Sequence, residues 1–385
     1  MPYNRGMTQI TLALPYALPP PELASDLLRA LKTPALAMLL SRHGALQRRD
    51  HSPTSRVLPH EAWLAQILQL ASPPATGAAA SAAPRASGPL AASAPLATAA
   101  MHGYGLAPQP GRWFILQPVH VQLSRTHLLL ADPRQLHLAD DEARPLFELA
   151  RPYFEDLGKT LVYGSADLWF VRADDWSGLD TASPDAAVAQ NLSDWVPEGA
   201  AALAYRKLQN EIQMLWHEHP VNQARQARGL APVNSFWLWA GADSSAAPGR
   251  ASAGAAAAPA AAATAAKSLA IAGAPSWMMA LAAPELRAAG AAQVIERAGQ
   301  SGAANVMLAD LISSAVAGDW SDWLAHMQRI EQEWCAPLLD ALQAGRIGSV
   351  TLLLSHRNAS IETTTSKLAL RKFWRKPTLN LLKQA

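Results

Sequence analysis

Cysteine is almost absent from this chain of 385 residues, with Cys335 standing alone. One thiol excludes an intramolecular disulfide framework and any zinc site built on several cysteines, and a reducing, cytoplasmic setting is the expectation. Cys335 lies within the apolar segment EQEWCAPLLDAL. It reads as a buried structural thiol, because reactive thiols need an electropositive, accessible setting. Charge is scarce too, at 16% of residues and a formal net of +2. That removes any global attraction to nucleic acid or to an anionic membrane. No stretch of about 18 apolar residues runs free of Pro or Gly, so no membrane span is expected. The opening MPYNRGMTQITLALPYALPPP reads as a strand after a ragged start rather than a signal peptide, since no small-x-small cleavage site follows.

Catalytic signatures are missing as well. The sequence holds no G-x-x-x-x-G-K-S/T loop, no G-x-G-x-x-G turn, no G-x-S-x-G elbow and no H-E-x-x-H pair. His217 and His219 flank Glu218 at a helix end, but side chains two apart on a helix point about 200° apart and cannot share a metal. Ser165 in YGSADLW has no partner base in view, so it is not read as a nucleophile.

Apolar residues nevertheless make up 50% of the chain, enough for a sizeable core although much of it is alanine. Two segments, 71–109 and 242–266, are dominated by Ala, Pro, Ser and Gly. Such mixtures bury too little surface to offset chain entropy and read as disordered linkers. They leave three ordered blocks. In the first, 8–70, a strand (TQITLALPYAL) precedes helical pieces PPELASDLLRAL, PALAMLLSRHGAL and HEAWLAQILQL, with RRDHSPTSR as a polar loop.

The second block, 110–241, alternates apolar residues over WFILQPVHVQLSRTHLLLAD as two strands. A helix with an acidic start at Asp140 to Glu142 follows, then a hairpin TLVYGSADLWFVRAD with Gly164 at its turn. A longer helix, AALAYRKLQNEIQMLWHEH, precedes a short one that restarts at Pro220 and stops at Gly229, and NSFWLWAG is a strand. The third block, 267–385, has a helix capped by Asp319 with Trp320, Trp323, Met327, Ile330 and Trp334 on one face. It closes as a hairpin, SVTLLLSHRNASIETTTSKLALRKFWRK, and is expected to pack with the first block. The expected class is α+β (mixed α/β), with two packed lobes.

The stretch HEHPVNQARQARGLAPVNSFWLWAGA, from His217 to Ala242, concentrates the chemistry. Asn222 and Arg225, three apart, share a helix face. Two readings stand open. Arg225 and Arg228 can grip a phosphate or carboxylate, oriented by Asn222, Asn234 and His219. Alternatively, Asn222 and Asn234 tie backbone groups across two tight turns while the arginines pair with nearby acids. The tail KLALRKFWRK interleaves Lys367, Arg371, Lys372, Arg375 and Lys376 with Phe373 and Trp374, a pattern that can bind phosphate backbones. The near-neutral net charge favours a solvated tail with one aromatic anchor.

HPVNQARQARGLAPVNSFWLWAGA resembles the H-P-V-N-x-x-R-x-x-x-G-x-x-P-A-N stretch of archaeal-type cofactor-independent phosphoglycerate mutases, of the alkaline phosphatase superfamily. LADDEARPLFELARPYFEDLGKTLVYGSADLWFVR and NLSDWVPEG resemble that family's inserted domain, so the likeness covers 112–241. NEIQMLWHEHPVNQARQARGLAPVNSFWLW and the terminal FWRK resemble the bacterial pathogenicity-factor-regulator (RpfE-type) regulatory proteins. The mutase resemblance implies two metal ions held by Asp and His clusters and a serine that carries the phosphoryl group. The first strand should then carry an Asp-Gly metal segment, but TQITLALPYALPPP has no Asp. SVTLLLSHRNAS offers only His356 in place of the C-terminal Asp/His segment, and Trp239 stands where an arginine is implied.

The resulting expectation is a non-catalytic regulatory or metabolite-sensing protein with no cofactor and no catalytic or metal residues. Its expected ligand is a small phosphorylated or carboxylate metabolite at Asn222, Arg225, Arg228, Asn234 and His219, with a protein partner as the regulatory target and neither a membrane nor a nucleic acid as partner. One alternative is a divergent phosphoglycerate mutase with two manganese or zinc ions; another is a nucleic-acid-binding regulator using the basic tail.

Overall fold

The computed structural model describes residues 8–70, 93–244 and 268–383. The chain forms two compact units: Met1–Pro53 with Thr264–Ala385, and Thr54–Ala263. Both mix helices with sheets, as the order of expected strands and helices implied.

The first unit is built on a six-stranded sheet. Its strands are β1 (Gln9–Leu14) and β2 (Ala45–Asp50) from the start of the chain, and β9 (Leu269–Ala272), β10 (Ala303–Leu308), β11 (Ser349–Ser355) and β12 (Ala359–Ser366) from its second half. The order is β2-β12-β11-β1-β10-β9. β11, β1, β10 and β9 run parallel, while β12 and β2 add an antiparallel edge. Helices α1 (Pro21–Ala30) and α2 (Pro34–Ser41) both start on proline, which is preset for a first helical turn and needs no N–H there. The helix Trp320–Ile330 is capped by Asp319, whose carboxylate accepts the Asp322 N–H at 3.0 Å. Trp323, Met327, Ile330 and Trp334 are buried along it, as the 3.6-residue spacing predicts. Cys335 is also buried, and desolvation pushes its thiol up, consistent with an inert structural group.

Three readings of this block change. ALQRRD is not helix and loop but the edge strand β2, exposed at every residue. Its backbone pairs with β12, so it needs no apolar alternation, and its arginines suit an edge that must not recruit other strands. LAIA and AANVML, unread in the sequence, are β9 and β10; short parallel strands buried on both faces show no period to read. LALRKFWRK, read as part of the closing hairpin, lies beyond it: the chain leaves the sheet after Ser366 and passes through short 3-10 turns at Ala369–Arg371 and Asn380–Leu382.

Glu331, 6% exposed, caps α2 from across the unit. Its two carboxylate oxygens accept the N–H groups of Ala35 at 2.6 Å and Leu36 at 3.0 Å, two of the donors that a helix start leaves without partners. Glu331→Ala is expected to cost about 2 kcal/mol. Hydrogen exchange at Ala35 and Leu36 should accelerate; unchanged protection there would show the cap to be unimportant.

In the second unit β3 (Gly111–Val119), β6 (Thr160–Ser165), β7 (Leu168–Arg172) and β8 (Ser235–Ser244) form an antiparallel sheet ordered β6-β7-β3-β8. A small hairpin joins β4 (Val121–Leu123) to β5 (Leu128–Leu130). Helices α5 (Asp140–Glu155) and α7 (Ala202–His217) bury their apolar stripes together with this sheet's inner face. The core is aromatic: Trp169 meets Phe147 edge-on at 5.2 Å and Trp216 at 5.8 Å, and Trp176 meets Tyr205 at 5.6 Å. Such edge-to-face pairs add to what area burial alone contributes.

The hairpin β6–β7 forms as predicted, but its turn lies at Ala166 and Asp167, and Gly164 sits instead at a bulge. A Cβ there would lie 2.8 Å from both the Leu168 carbonyl and the Phe170 ring, so glycine answers close packing.

The segment 54–70, read with the first block, groups with the second unit. Arg56, 2% exposed, binds it there by donating to the carbonyls of Trp195 and Val196, each at 3.1 Å. Helix α3 (Pro59–Ile67) follows it. Residues 93–109, read as linker, are ordered: α4 (Ala97–Gly103) lies against β3 and β8 with Leu96, Ala97, Ala100 and Met101 buried. Its alanines permit close approach to the sheet, and the Ser93 hydroxyl accepts the Ala240 N–H at 2.7 Å. β8 likewise continues to Ser244, with Arg112 paired to Asp243 at 2.8 Å. The remaining linker expectations, 71–92 and 245–266, fall outside the described residues.

Candidate functional site

The residues singled out in the sequence do meet, but around backbone rather than around an open pocket. α7 ends at His217 and α8 (Pro220–Ala227) restarts at once, with the His219 ring as its N-cap, accepting the Val221 N–H at 3.2 Å. Asn222 is 1% exposed. Its amide donates to the carbonyls of Trp216 (2.8 Å) and Val233 (2.7 Å), and its oxygen accepts the Val233 N–H at 2.7 Å. That single side chain thus ties the end of α7 to the turn before β8. Asn234 pairs with both backbone groups of Val121, each at 2.8 Å, and fixes β4.

Arg225 is fully buried. It donates to the carbonyls of Ala231 (2.9 Å) and Leu136 (2.5 Å) and to the Glu142 carboxylate. Arg228 donates to the other Glu142 oxygen, and its side chain stays 57% exposed. Burial works to raise the Glu142 pKa, but the Ala139 N–H and the two arginines outweigh it and hold the carboxyl below its usual value. Of the two readings of this stretch, the geometry matches the structural one. Asn222, Arg225 and Asn234 are committed to internal partners, because loops that enter a core must satisfy their backbone groups. Arg228 keeps exposed donors that a ligand in solvent can reach.

A second cluster escaped the sequence reading. His60 and Glu61 occupy the first turn of α3, and Asp185 the first turn of α6 (Pro184–Ala187). All three are buried, and their ligand-type atoms lie within 4.8 Å of one another. It is the one such group of three or more His, Cys, Asp or Glu residues among the described residues. Arg134 reaches Asp185 Oδ1 and Asp132 Oδ1, each at 2.8 Å, while Asp185 Oδ2 stands 3.9 Å from His60 Nε2. Burial lowers the His60 pKa to about 4; Asp185 works against that shift and Arg134 with it. The imidazole is therefore neutral at pH 7. These donors suit one divalent ion, although Glu61 Oε2 already accepts the Leu58 N–H at 3.0 Å and Arg134 already holds Asp185. The only sequence signal was an acid in the first turn of two helices more than 100 positions apart, too common to mark a site.

In the first unit, α/β sheets place ligands outside the carboxyl ends of their parallel strands. β1 leads there into Pro15 and Tyr16, and Tyr16 is 3% exposed. Its carbonyl accepts the Trp323 indole N–H at 2.9 Å, and its ring meets that of His356, which follows β11, at 5.6 Å. Beyond β10 lies Asp310, whose carboxylate presses on Gly273 so closely that a Cβ would fall 2.1 Å from it. Among the described residues, no group of three or more His, Cys, Asp or Glu with converging ligand atoms lies at these strand ends, whereas a two-ion centre needs such a group.

The match to known proteins is limited in extent. A 2,3-bisphosphoglycerate-independent phosphoglycerate mutase of Methanothrix thermoacetophila is 32% identical over 65 residues, 17% of this chain and 17% of that protein. In sequence, the chain is similar to a phosphoglycerate mutase over a short stretch. It thus spans less than a fifth of that relative's length in the match. No family model matches the chain. Among solved structures, the cofactor-independent phosphoglycerate mutase of Thermoplasma acidophilum aligns over 98% of this chain and 95% of its own, with 12% identity and a TM-score of 0.42. The PH0037 protein of Pyrococcus horikoshii aligns over 94% and 87%, with 12% identity and a TM-score of 0.48. No helix among the described residues is long and apolar enough to cross a membrane.

Proposed function

We propose that this chain is a non-catalytic regulatory or metabolite-sensing protein on a phosphoglycerate-mutase-like frame, of the pathogenicity-factor-regulator (RpfE) type, acting in the cytoplasm without a cofactor. The observation that carries the reading is the end of β1. Where the mutase resemblance implies an acidic metal segment, the chain presents Leu14, Pro15 and a buried Tyr16 packed on His356. Ion-assisted phosphoryl transfer needs charge neutralised on both attacking and leaving oxygens, and an apolar strand end supplies no ligand for that.

The ligand of this proposal is a small phosphorylated or carboxylate metabolite, with Arg228 as the contacting residue and Arg225, Asn222, Asn234 and His219 as its support. The ligand has to compete with Glu142 for the Arg228 guanidinium. Saturating 2- or 3-phosphoglycerate, at about 100 times Kd, should stabilise the protein by about 2.7 kcal/mol. Arg228→Ala should remove that thermal shift while leaving the unliganded melting temperature within a degree or two. The absence of any shift with phosphorylated acids would rule out the sensing role.

The divergent-mutase reading has one specific support, the 65-residue match to a mutase at 32% identity. Interconversion of 2- and 3-phosphoglycerate by protein loaded with manganese or zinc, abolished by a chelator, would establish it and overturn the first reading.

A further inference from the structure

The basic tail was expected to keep one aromatic as an anchor, yet both of its rings face solvent. Phe373 is 80% exposed and Trp374 67%, with Leu368 beside them in sequence at 72%. Adjacent large apolar side chains this exposed mark a binding surface more often than a chance surface. The two rings meet edge-on at 5.3 Å, so each leaves a face uncovered. Between Ser366 and Lys383 the chain carries six cations (Lys367, Arg371, Lys372, Arg375, Lys376 and Lys383) and no acid. A net +2 over the whole chain conceals this local excess.

The segment is also held in place. Lys372 donates to the His43 carbonyl at 2.9 Å and Arg375 to the same oxygen at 3.3 Å. Arg42 grips the Leu370 carbonyl at 2.7 Å, and the Thr378 N–H reaches the Ser41 hydroxyl at 2.8 Å. Ala369, Leu370 and Leu382 are buried beneath it. Two of the six cations thus fasten the backbone, while Lys367, Arg371, Lys376 and Lys383 are exposed. β2, which starts close to this corner, adds exposed Arg48 and Arg49.

We propose that Phe373 and Trp374, with their flanking cations, form a stacking platform for single-stranded nucleic acid. Every base offers a π-face, so two preset rings in a cationic surround take successive bases without reading their sequence. An anionic membrane is the poorer fit, because interfacial anchoring uses the long apolar face of an amphipathic helix. Here the only helical element between Ser366 and Trp374 is the three-residue turn Ala369–Arg371. The proposal concerns the surface of the first unit and stands independently of the regulatory reading.

Fluorescence anisotropy with labelled oligo-dT and oligo-U tests it on the full chain. Four exposed cations on phosphates give a salt slope of about −3, so affinity should fall roughly fiftyfold between about 50 and 200 mM salt. Phe373→Ala and Trp374→Ala should each weaken binding by about five- to a hundredfold. Both rings are exposed, so the variants should keep the wild-type melting temperature. Arg371→Glu with Lys376→Glu should flatten the salt slope. Absence of binding at the lower salt overturns the proposal, as does wild-type affinity in the double aromatic variant. Sedimentation with phosphatidylcholine/phosphatidylglycerol vesicles but no response to oligonucleotides overturns it in favour of a lipid surface.

Discussion

Arg225→Ala is expected to destabilise the second unit by about 3–5 kcal/mol, the scale for deleting one partner of a buried ionic pair. The side chain has no exposure and three acceptors: the Ala231 carbonyl, the Leu136 carbonyl and Glu142. Its removal strands the buried Leu136 carbonyl, takes a donor from the Ala231 carbonyl and opens a guanidinium-sized cavity between α8, the 3-10 turn Pro133–Leu136 and α5. Glu142 keeps Arg228 and the Ala139 N–H, so the loss lies mainly in the carbonyls and the packing. Arg225→Lys should recover only part of it, because one ammonium cannot reach three acceptors that a planar fork meets in fixed directions. Eight of the thirteen tryptophans belong to the second unit, at positions 63, 113, 169, 176, 195, 216, 237 and 239. Their fluorescence therefore follows mainly this unit's unfolding. Two units need not unfold in one step, so that signal is a better measure than a whole-chain melting temperature. A urea midpoint unmoved by Arg225→Ala would show that the arginine is not structural. Arg228→Ala, on the exposed side of the same carboxylate, is expected to cost well under 1 kcal/mol.

Acid is the second large effect. His60 has a folded pKa of about 4, against 6.5 for an ordinary histidine, because burial disfavours its charged form. Between those values the unfolded chain takes up a proton that the folded chain refuses. Stability is therefore fully present above about pH 6.5 and is lost as pH falls toward 4, by on the order of 3 kcal/mol. His120 and His219 in the same unit are also lowered by burial and add to the slope in the same direction. Glu142, held below its usual value, loses its contribution only at lower pH, so the windows separate. Urea midpoints from pH 7 to 4.5 should fall steadily for the wild type and much less for His60→Gln. Equal slopes in the two proteins would mean that His60 is not the proton acceptor.

The candidate site shows why local pattern and chemistry part company. Local pattern gave the helix restart and its stop, since Pro220 and Gly229 act through neighbours in the chain. It did not give the role of the arginines. Arg225 and Glu142 are 83 positions apart, and only the packing of α8 on α5 makes the pair. The cluster of His60, Glu61, Asp185 and Arg134 was hidden for the same reason: three segments of ordinary composition meet in the core.

Elsewhere the division follows range. Amphipathic periods placed α5, α7 and the helix Trp320–Ile330, and composition placed Cys335 inside. Burial of one face is written into each of those segments. Tertiary pairing decided β2, whose arginine-rich sequence becomes a strand only because β12 offers it a free edge. It also decided α4, whose alanines order against the sheet once β3 and β8 give them a surface. Sequence sets which faces must leave water, because that cost is local. Which partner covers them, and whether a polar side chain ends as a ligand contact or as a bond to buried backbone, depends on groups that only the fold brings within hydrogen-bond range.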